Sequence, residues 1–274
     1  MKVVKTINNN LVRSYEKGTE VLVMGSGIGF QKKPGDEIDS SRIEKVYRIS
    51  DQGIESKLAQ IVDQIPAEHL RVANLIIDYA RSVLSLPLSD RIYVDLTDHL
   101  SFAIERYEKG MTLRNPLLWD IRKFYNSEYL VGCEALEMIN RELGISLPED
   151  EAGFIALHLV EASTGETSSE VEQNMDLISH ILLLIRYHFQ IELDESTLAY
   201  ERFMVHLKFF VERAVSGTLK EDDDSLYQQM RKTYTEEFAC ADKIRNYLLA
   251  EKGIEVPRSE TVYLAIHIYR VVHQ

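Results

Sequence analysis

The chain has 274 residues, 45 % of them hydrophobic and 27 % charged, with 13 Gly and 6 Pro. That length exceeds one ordinary core, so several domains are expected, and the scarcity of Gly and Pro favours long helices over many tight turns. A formal charge of −13 argues against a generally basic nucleic-acid binder, and Cys133 and Cys240, the two cysteines, exclude a disulfide scaffold and fit a reducing cytoplasm.

Residues 1–55 carry nine Lys/Arg against eight Asp/Glu, whereas the rest carries 22 against 36. The acidic body would repel a phosphate backbone, so charge permits nucleic acid only at the N-terminal end. That end also lacks the apolar core of a signal peptide, and no apolar run approaches a membrane span, so a cytoplasmic chain without stable membrane insertion is expected.

Val3–Ile7 and Glu20–Met24 are short and β-branched and read as strands, and Ile43–Ile49 reads as a last one. Asn8-Asn9-Asn10 and Glu16-Lys17-Gly18 supply the turns between them. So small a module is marginal alone, which makes dimerisation a reasonable expectation. From about Ser56 the apolar period becomes helical, over Leu70–Leu84, Ile92–Tyr107, Leu117–Phe124, Ala135–Leu143 and Ala152–Val160. Thr164–Glu170 is small and polar and reads as a linker, and a second helical block follows from Met175. The acidic run Glu221-Asp222-Asp223-Asp224 reads as a solvated loop.

The two helical blocks resemble each other. His99-Leu100, Phe102 and Glu105-Arg106 answer to His206-Leu207, Phe209 and Glu212-Arg213, an offset of 107. Pro148, Glu151 and His158 answer to Pro257, Glu260 and His267, an offset of 109. Two copies of one helical domain explain this most simply.

Four histidines in repeat-equivalent places admit three readings. A His among apolar neighbours is commonly a hydrogen-bonded packing residue. A zinc site would need ligands from distant helices, because the chain has no HExxH or CxxC spacing and no close His/Asp pair repeated in both blocks. Phosphorylation is the third reading: neutral imidazole is a nucleophile at cell pH, and a labile phosphoryl group at duplicated sites makes a switch rather than a turnover site. Asp98 precedes His99 and either orients it or is a solvated surface carboxylate. His69, His180, His188 and His273 have no repeat partner and read as ordinary, and both cysteines read as packing residues.

Met24-Gly25-Ser26-Gly27-Ile28-Gly29-Phe30-Gln31-Lys32-Lys33 is neither a dinucleotide fingerprint nor a phosphate loop, since no Gly-Lys-Ser/Thr follows. It reads equally as an ordinary hairpin turn or as an RNA contact. In the second reading glycines admit a close backbone, Phe30 offers a stacking face, and Lys32 and Lys33 offer charge.

Over essentially the whole length these residues resemble the sugar-operon transcriptional antiterminators, the LicT/BglG/SacY family. Ile7–Asn10, Val23–Lys33 and Ile43–Lys45 look like its co-antiterminator RNA-binding domain. Leu96–His99, Leu147–His158, His206–Phe210 and Ala265–His267 look like its two phosphotransferase-system regulation domains. The resemblance implies a multidomain chain: a small antiparallel β-sheet RNA-binding domain (1–55), then two all-α helical-bundle regulation domains (65–168 and 172–274). It further implies a homodimer that grips an mRNA antiterminator hairpin, so that the overlapping Rho-independent terminator cannot form. By position, Lys5, Asn10, Gly25, Ser26, Phe30 and Lys32 would meet RNA; Ser26 is a departure, many members carrying Arg there. His99, His158, His206 and His267 would be phosphorylation sites. The sugar-specific permease (enzyme II) would act on the first regulation domain to inhibit, and the phosphocarrier HPr on the second to activate.

No catalytic residue, metal or cofactor is expected. The rival readings are a DNA-binding activator under the same control, an enzyme, and a sugar-sensing module with no nucleic-acid ligand. The first would need a helix-turn-helix where residues 1–55 read as strands, so no DNA partner is expected. No pocket or nucleotide motif supports the second, and the glycine-Phe-Lys turn speaks against the third. A β-glucoside operon is the expected target, with sucrose the alternative.

Overall fold

The computed structural model describes residues 1–48, 51–85, 87–219 and 227–273. Contacts divide the chain into two compact units, Met1–Ser168 and Ser169–Gln274.

The first unit opens with an antiparallel meander of β1 (Lys5–Thr6), β2 (Leu11–Glu16), β3 (Thr19–Met24) and β4 (Lys45–Tyr47), adjacent in that order. The last strand is shorter than its β-branched run promised, and Ile49 lies outside the described residues. Lys17 and Gly18 both have positive φ (49° and 84°), so Glu16 pairs with Thr19 across a two-residue turn whose twist matches that of the strands. Alternation along the strands makes two apolar faces. Val12, Val21, Val23 and partly buried Val46 turn one way, where Val3, Ile28 and Ile38 cover them. Leu11, Leu22, Met24 and Tyr47 turn the other way, into the helices.

Those helices are α1 (Gln52–Gln64), α2 (Ala67–Val83), α3 (Ile92–Glu108), α4 (Leu118–Phe124), α5 (Asn126–Leu143) and α6 (Asp150–Thr164). The helical period starts earlier than about Ser56, because the Asp51 side chain caps α1 by accepting from the backbone N–H groups of Gly53 (2.7 Å) and Ile54 (3.0 Å). Sheet and helices share one apolar cluster that joins Leu11 and Tyr47 to Leu58, Leu70, Ile76 and Leu96. Polar contacts reinforce it. The amide of Asn74 donates to the Tyr47 hydroxyl (3.0 Å), the Asn8 amide donates to the Ala59 carbonyl (2.9 Å), and Lys45 pairs with Asp78 (2.6 Å).

The second unit holds α7 (Ser168–Phe189), which starts at its boundary, then α8 (Leu198–Val215), α9 (Tyr227–Thr233), α10 (Thr235–Lys252) and α11 (Arg258–Val272). The expected linker is therefore shorter than its composition suggested, because Ser168–Glu170 already form the first turn of α7. Starts and ends of α4 and α5 recur in α9 and α10 at an offset of 109, and α3 recurs in α8 at about 107. The duplication is thus visible helix by helix, with two extra residues between α8 and α9. The acidic run Glu221–Asp224 falls there and lies outside the described residues. Cys240 is buried and Cys133 half-buried.

Candidate functional sites

The glycine-rich segment is a succession of tight turns braced from below by the asparagine turn. Backbone N–H groups of Ile28, Phe30 and Lys32 donate to the carbonyls three residues earlier, those of Gly25, Gly27 and Gly29. Gly25 N–H donates to the Asn10 carbonyl (3.0 Å), Gly29 N–H to the Asn9 carbonyl (2.9 Å), and Gly27 N–H to the Asn10 side-chain oxygen (2.9 Å). Asn10 is thus half-buried and partly spent on shaping the turn. Gly25 is buried, and a Cβ there would lie 1.8 Å from the Arg42 carbonyl oxygen, so the close backbone this glycine admits is the chain's own. Above this platform Phe30 is 59 % exposed and Ser26 is exposed, its N–H donating to Glu44 (3.0 Å). Lys5 is exposed, and half-buried Lys32 donates through Nζ to the Glu37 carbonyl (2.9 Å). The platform is cross-linked by its own hydrogen bonds, and what it holds out to solvent is an aromatic ring.

The four repeat-equivalent histidines assemble as two pairs. In the first unit α3 and α6 bring the rings of His99 and His158 to 4.8 Å between centroids. Glu151, at the start of α6 and 4 % exposed, lies 3.1 Å from His99 Nε2 with one oxygen, without the alignment of a hydrogen bond, and accepts from Arg106 (2.8 Å) with the other. Glu161 stands 3.5 Å from His158 Nδ1 and accepts from the Ser168 hydroxyl. Phe154 packs against His99. Burial would raise the carboxyls of Glu151 and Glu161, but the first's contacts with His99 and Arg106 and the second's with His158 and Ser168 hold both below the usual range. Burial pushes His99 below the usual imidazole range, partly offset by Glu151. Asp98 is exposed, and the carboxylate that meets His99 is the distant Glu151.

In the second unit α8 and α11 bring His206 and His267 closer, to 3.9 Å between centroids. Tyr263 packs edge-on to His206 and its hydroxyl is hydrogen-bonded to His206 Nδ1. A phenol both donates and accepts, so it suits either ring tautomer. Arg213 donates to both oxygens of Glu260 (2.9 and 3.2 Å). His267 is 8 % exposed, and burial, with help from His206 and Arg270, lowers it to about 4. His206 is lowered by burial, then by Arg270 and Arg213. Three of the four imidazoles thus favour the neutral, nucleophilic form.

The pairs Arg106–Glu151 and Arg213–Glu260 occupy equivalent places and tie the early helix of each bundle to its last one. All four residues stand in step in the two repeats, which is the signal that marks them. Their pairing could not be read from spacing, because about 45 residues separate the partners. Of the lone histidines, His69 contacts Ser101 (3.2 Å), His180 the Asp176 carbonyl (2.8 Å) and His273 Glu237 (2.8 Å). Among the described residues no cluster of three or more His, Cys, Asp or Glu is placed to hold a metal, and no helix is long and apolar enough to cross a membrane.

Residues 1–56 match the model of the CAT RNA binding domain, and residues 74–162 and 179–271 each match that of the PRD domain. Transcription antiterminator LicT of Bacillus subtilis (strain 168) is 43 % identical, the match covering 100 % of both chains. A beta-glucoside operon antiterminator of Dickeya chrysanthemi is 38 % identical over 99 % of this chain and 96 % of its own. Among solved structures, the crystal structure of GlcT CAT-PRDI is similar at a TM-score of 0.50 and 34 % identity, covering 60 % of this chain and 98 % of that one.

Proposed function

The chain belongs to the family of transcription antiterminators that join a CAT RNA-binding domain to two PRD domains, and from that premise we propose that it grips an antiterminator hairpin in the mRNA of a β-glucoside operon as a homodimer. Residues 1–55 bind the RNA, and residues 65–168 and 172–274 regulate them. The observation that carries this reading is the solvent-facing ring of Phe30 on a turn that Asn10 hydrogen-bonds from beneath, a stacking face of the kind that splayed RNA bases take. Exposed Ser26 and Lys5 and half-buried Lys32 supply polar and cationic groups in the same domain, while Asn10 and Gly25 set the shape of the turn. The name of the Dickeya relative supports the choice of sugar.

Control is exerted by reversible phosphorylation of His99, His158, His206 and His267. The sugar permease phosphorylates the first pair to inhibit and HPr phosphorylates the second to activate. A group bearing roughly −1.5 to −2 charges at a ring already packed against a second imidazole must move that contact, which suits a two-state switch. The test is a gel shift of the full chain on an antiterminator-type RNA hairpin, beside the Phe30→Ala variant and a matched DNA duplex. Selective RNA binding that weakens in the variant is expected; equal affinity for the duplex would overturn the proposal. His99→Ala in a terminator-reporter strain reads the wiring, and unchanged sugar dependence would remove the inhibitory assignment.

A further inference from the structure

The two histidine pairs share one plan but face opposite charge. Three residues after the second histidine, and hence on its side of the helix, stands Glu161 in the first unit and Arg270 in the second. Glu161 touches His158 (3.5 Å), while the charge of Arg270 reaches both His206 and His267. Four residues before that histidine, Phe154 stands where Tyr263 holds His206. The shared carboxylate also differs. Glu151 divides itself between Arg106 and His99, whereas Glu260 gives both oxygens to Arg213 and leaves His206 to the tyrosine. Arg91 is felt at Glu161 but is paired with Asp95 (2.7 Å). A dianion on the first pair therefore meets Glu161 beside a glutamate paired with Arg106, and one on the second pair meets Arg270 beside a glutamate paired with Arg213.

We propose that Glu161 and Arg270 set the phosphoryl occupancy of the two domains, Glu161 opposing the group on the His99/His158 pair and Arg270 retaining it on the His206/His267 pair. The first site then releases phosphate readily when its donor is withdrawn, and the second holds it. The inference rests on the reading that these histidines accept phosphate. It assigns the difference between the duplicated sites to one position in each.

The experiment treats the full chain with phosphoramidate, a small anionic donor. A ring nitrogen attacks phosphorus, the N–P bond forms as the donor's P–N bond breaks, ammonia leaves, and the ring's N–H proton passes to solvent. A parallel sample takes diethyl pyrocarbonate, an uncharged reagent for the same nitrogens, and peptide mass spectrometry gives the ratio of the two labels at each histidine. A fold defect moves both labels, whereas a charge effect moves the ratio. Arg270→Glu is expected to lower the ratio at His206 and His267 on the order of five- to tenfold, and Glu161→Arg to raise it at His99 and His158 as much, as for a dianion about 7 Å from a reversed charge in screened solvent. Both changes should shrink in high salt. Arg270→Gln and Glu161→Gln, expected to show about half the effect on a logarithmic scale, serve where charge reversal unfolds a bundle. Ratios within about twofold of the unmodified chain in all variants would overturn this inference alone. If none of the four histidines of the unmodified chain took phosphate, the reading beneath it would fall as well.

Discussion

Replacing Glu151 by Gln removes one negative charge and almost no volume from the centre of the first histidine pair. Breaking a fully buried ion pair costs about 3–5 kcal/mol. Arg106 keeps 24 % exposure, so water still shares its solvation, and the amide oxygen can still accept its hydrogen bond. The expected loss is therefore about 1.5–3 kcal/mol, the range of a hydrogen bond to a charged group. In a unit of this size each kcal/mol lowers Tm by about 2–4 °C. The loss must also vary with pH. The Glu151 carboxyl is held below its ordinary 4.5, so its contribution is complete above that value and fades as pH falls through the lower folded one. Burial holds His99 below its ordinary 6.5, so the unfolded chain takes that proton first and stability drops on acidification below this value. In the variant no carboxylate supports the imidazolium, and protonating His99 costs more. The gap between the two proteins should be flat above about pH 6.5, widen only as pH falls below that through the lowered folded value of His99, and narrow again below about pH 4.5 as Glu151 takes its proton. Urea unfolding followed by the fluorescence of Trp119, the single tryptophan, reads the first unit, because that residue lies in α4. A difference under about 0.5 kcal/mol at neutral pH, or a gap that ignores pH, would refute the reasoning.

Gly25→Ala places a Cβ against the Arg42 carbonyl and should cost more than about 3 kcal/mol, with loss of RNA binding; thermal melts by circular dichroism check it. Phe30→Ala should leave stability within about 0.5 kcal/mol and weaken the hairpin complex by about 1–3 kcal/mol, roughly five- to 150-fold, in the same gel shift. NMR titration should find His267 protonating near about 4, and His206→Ala should raise that midpoint while burial keeps it below 6.5.

Much of this was legible in the chain. Short β-branched runs announced β1, β3 and β4, the 3.6-residue period placed α2, α3, α4 and α6 within a few residues but started α5 at Ala135 when it begins at Asn126, and the duplicated histidines pointed to two sites before any contact was known. What stayed hidden needed distance in sequence to become nearness in space. Asp98 adjoins His99 along the chain, yet on a helix neighbours point apart, and the partner comes from α6. Gly25 read as an opening for a ligand's backbone because local sequence cannot show that residue 42 returns to fill it. The opposite charges at positions 161 and 270 were there to be compared, but repeats attract attention where they agree, and this position matters because they differ.

The sheet has no private interior on its helical side: Leu11, Leu22, Met24 and Tyr47 belong to the cluster that holds α1, α2 and α3 together. Loss of that packing strips one whole face of the meander. Every change of about 1.4 kcal/mol in the hold of the first bundle on the sheet alters tenfold the share of molecules whose face is uncovered. A phosphoryl group on the first histidine pair that altered this hold would be felt at the strands as a change in how many molecules keep that face covered. A second copy of the chain that covered the same four side chains would compete directly with the helices for them.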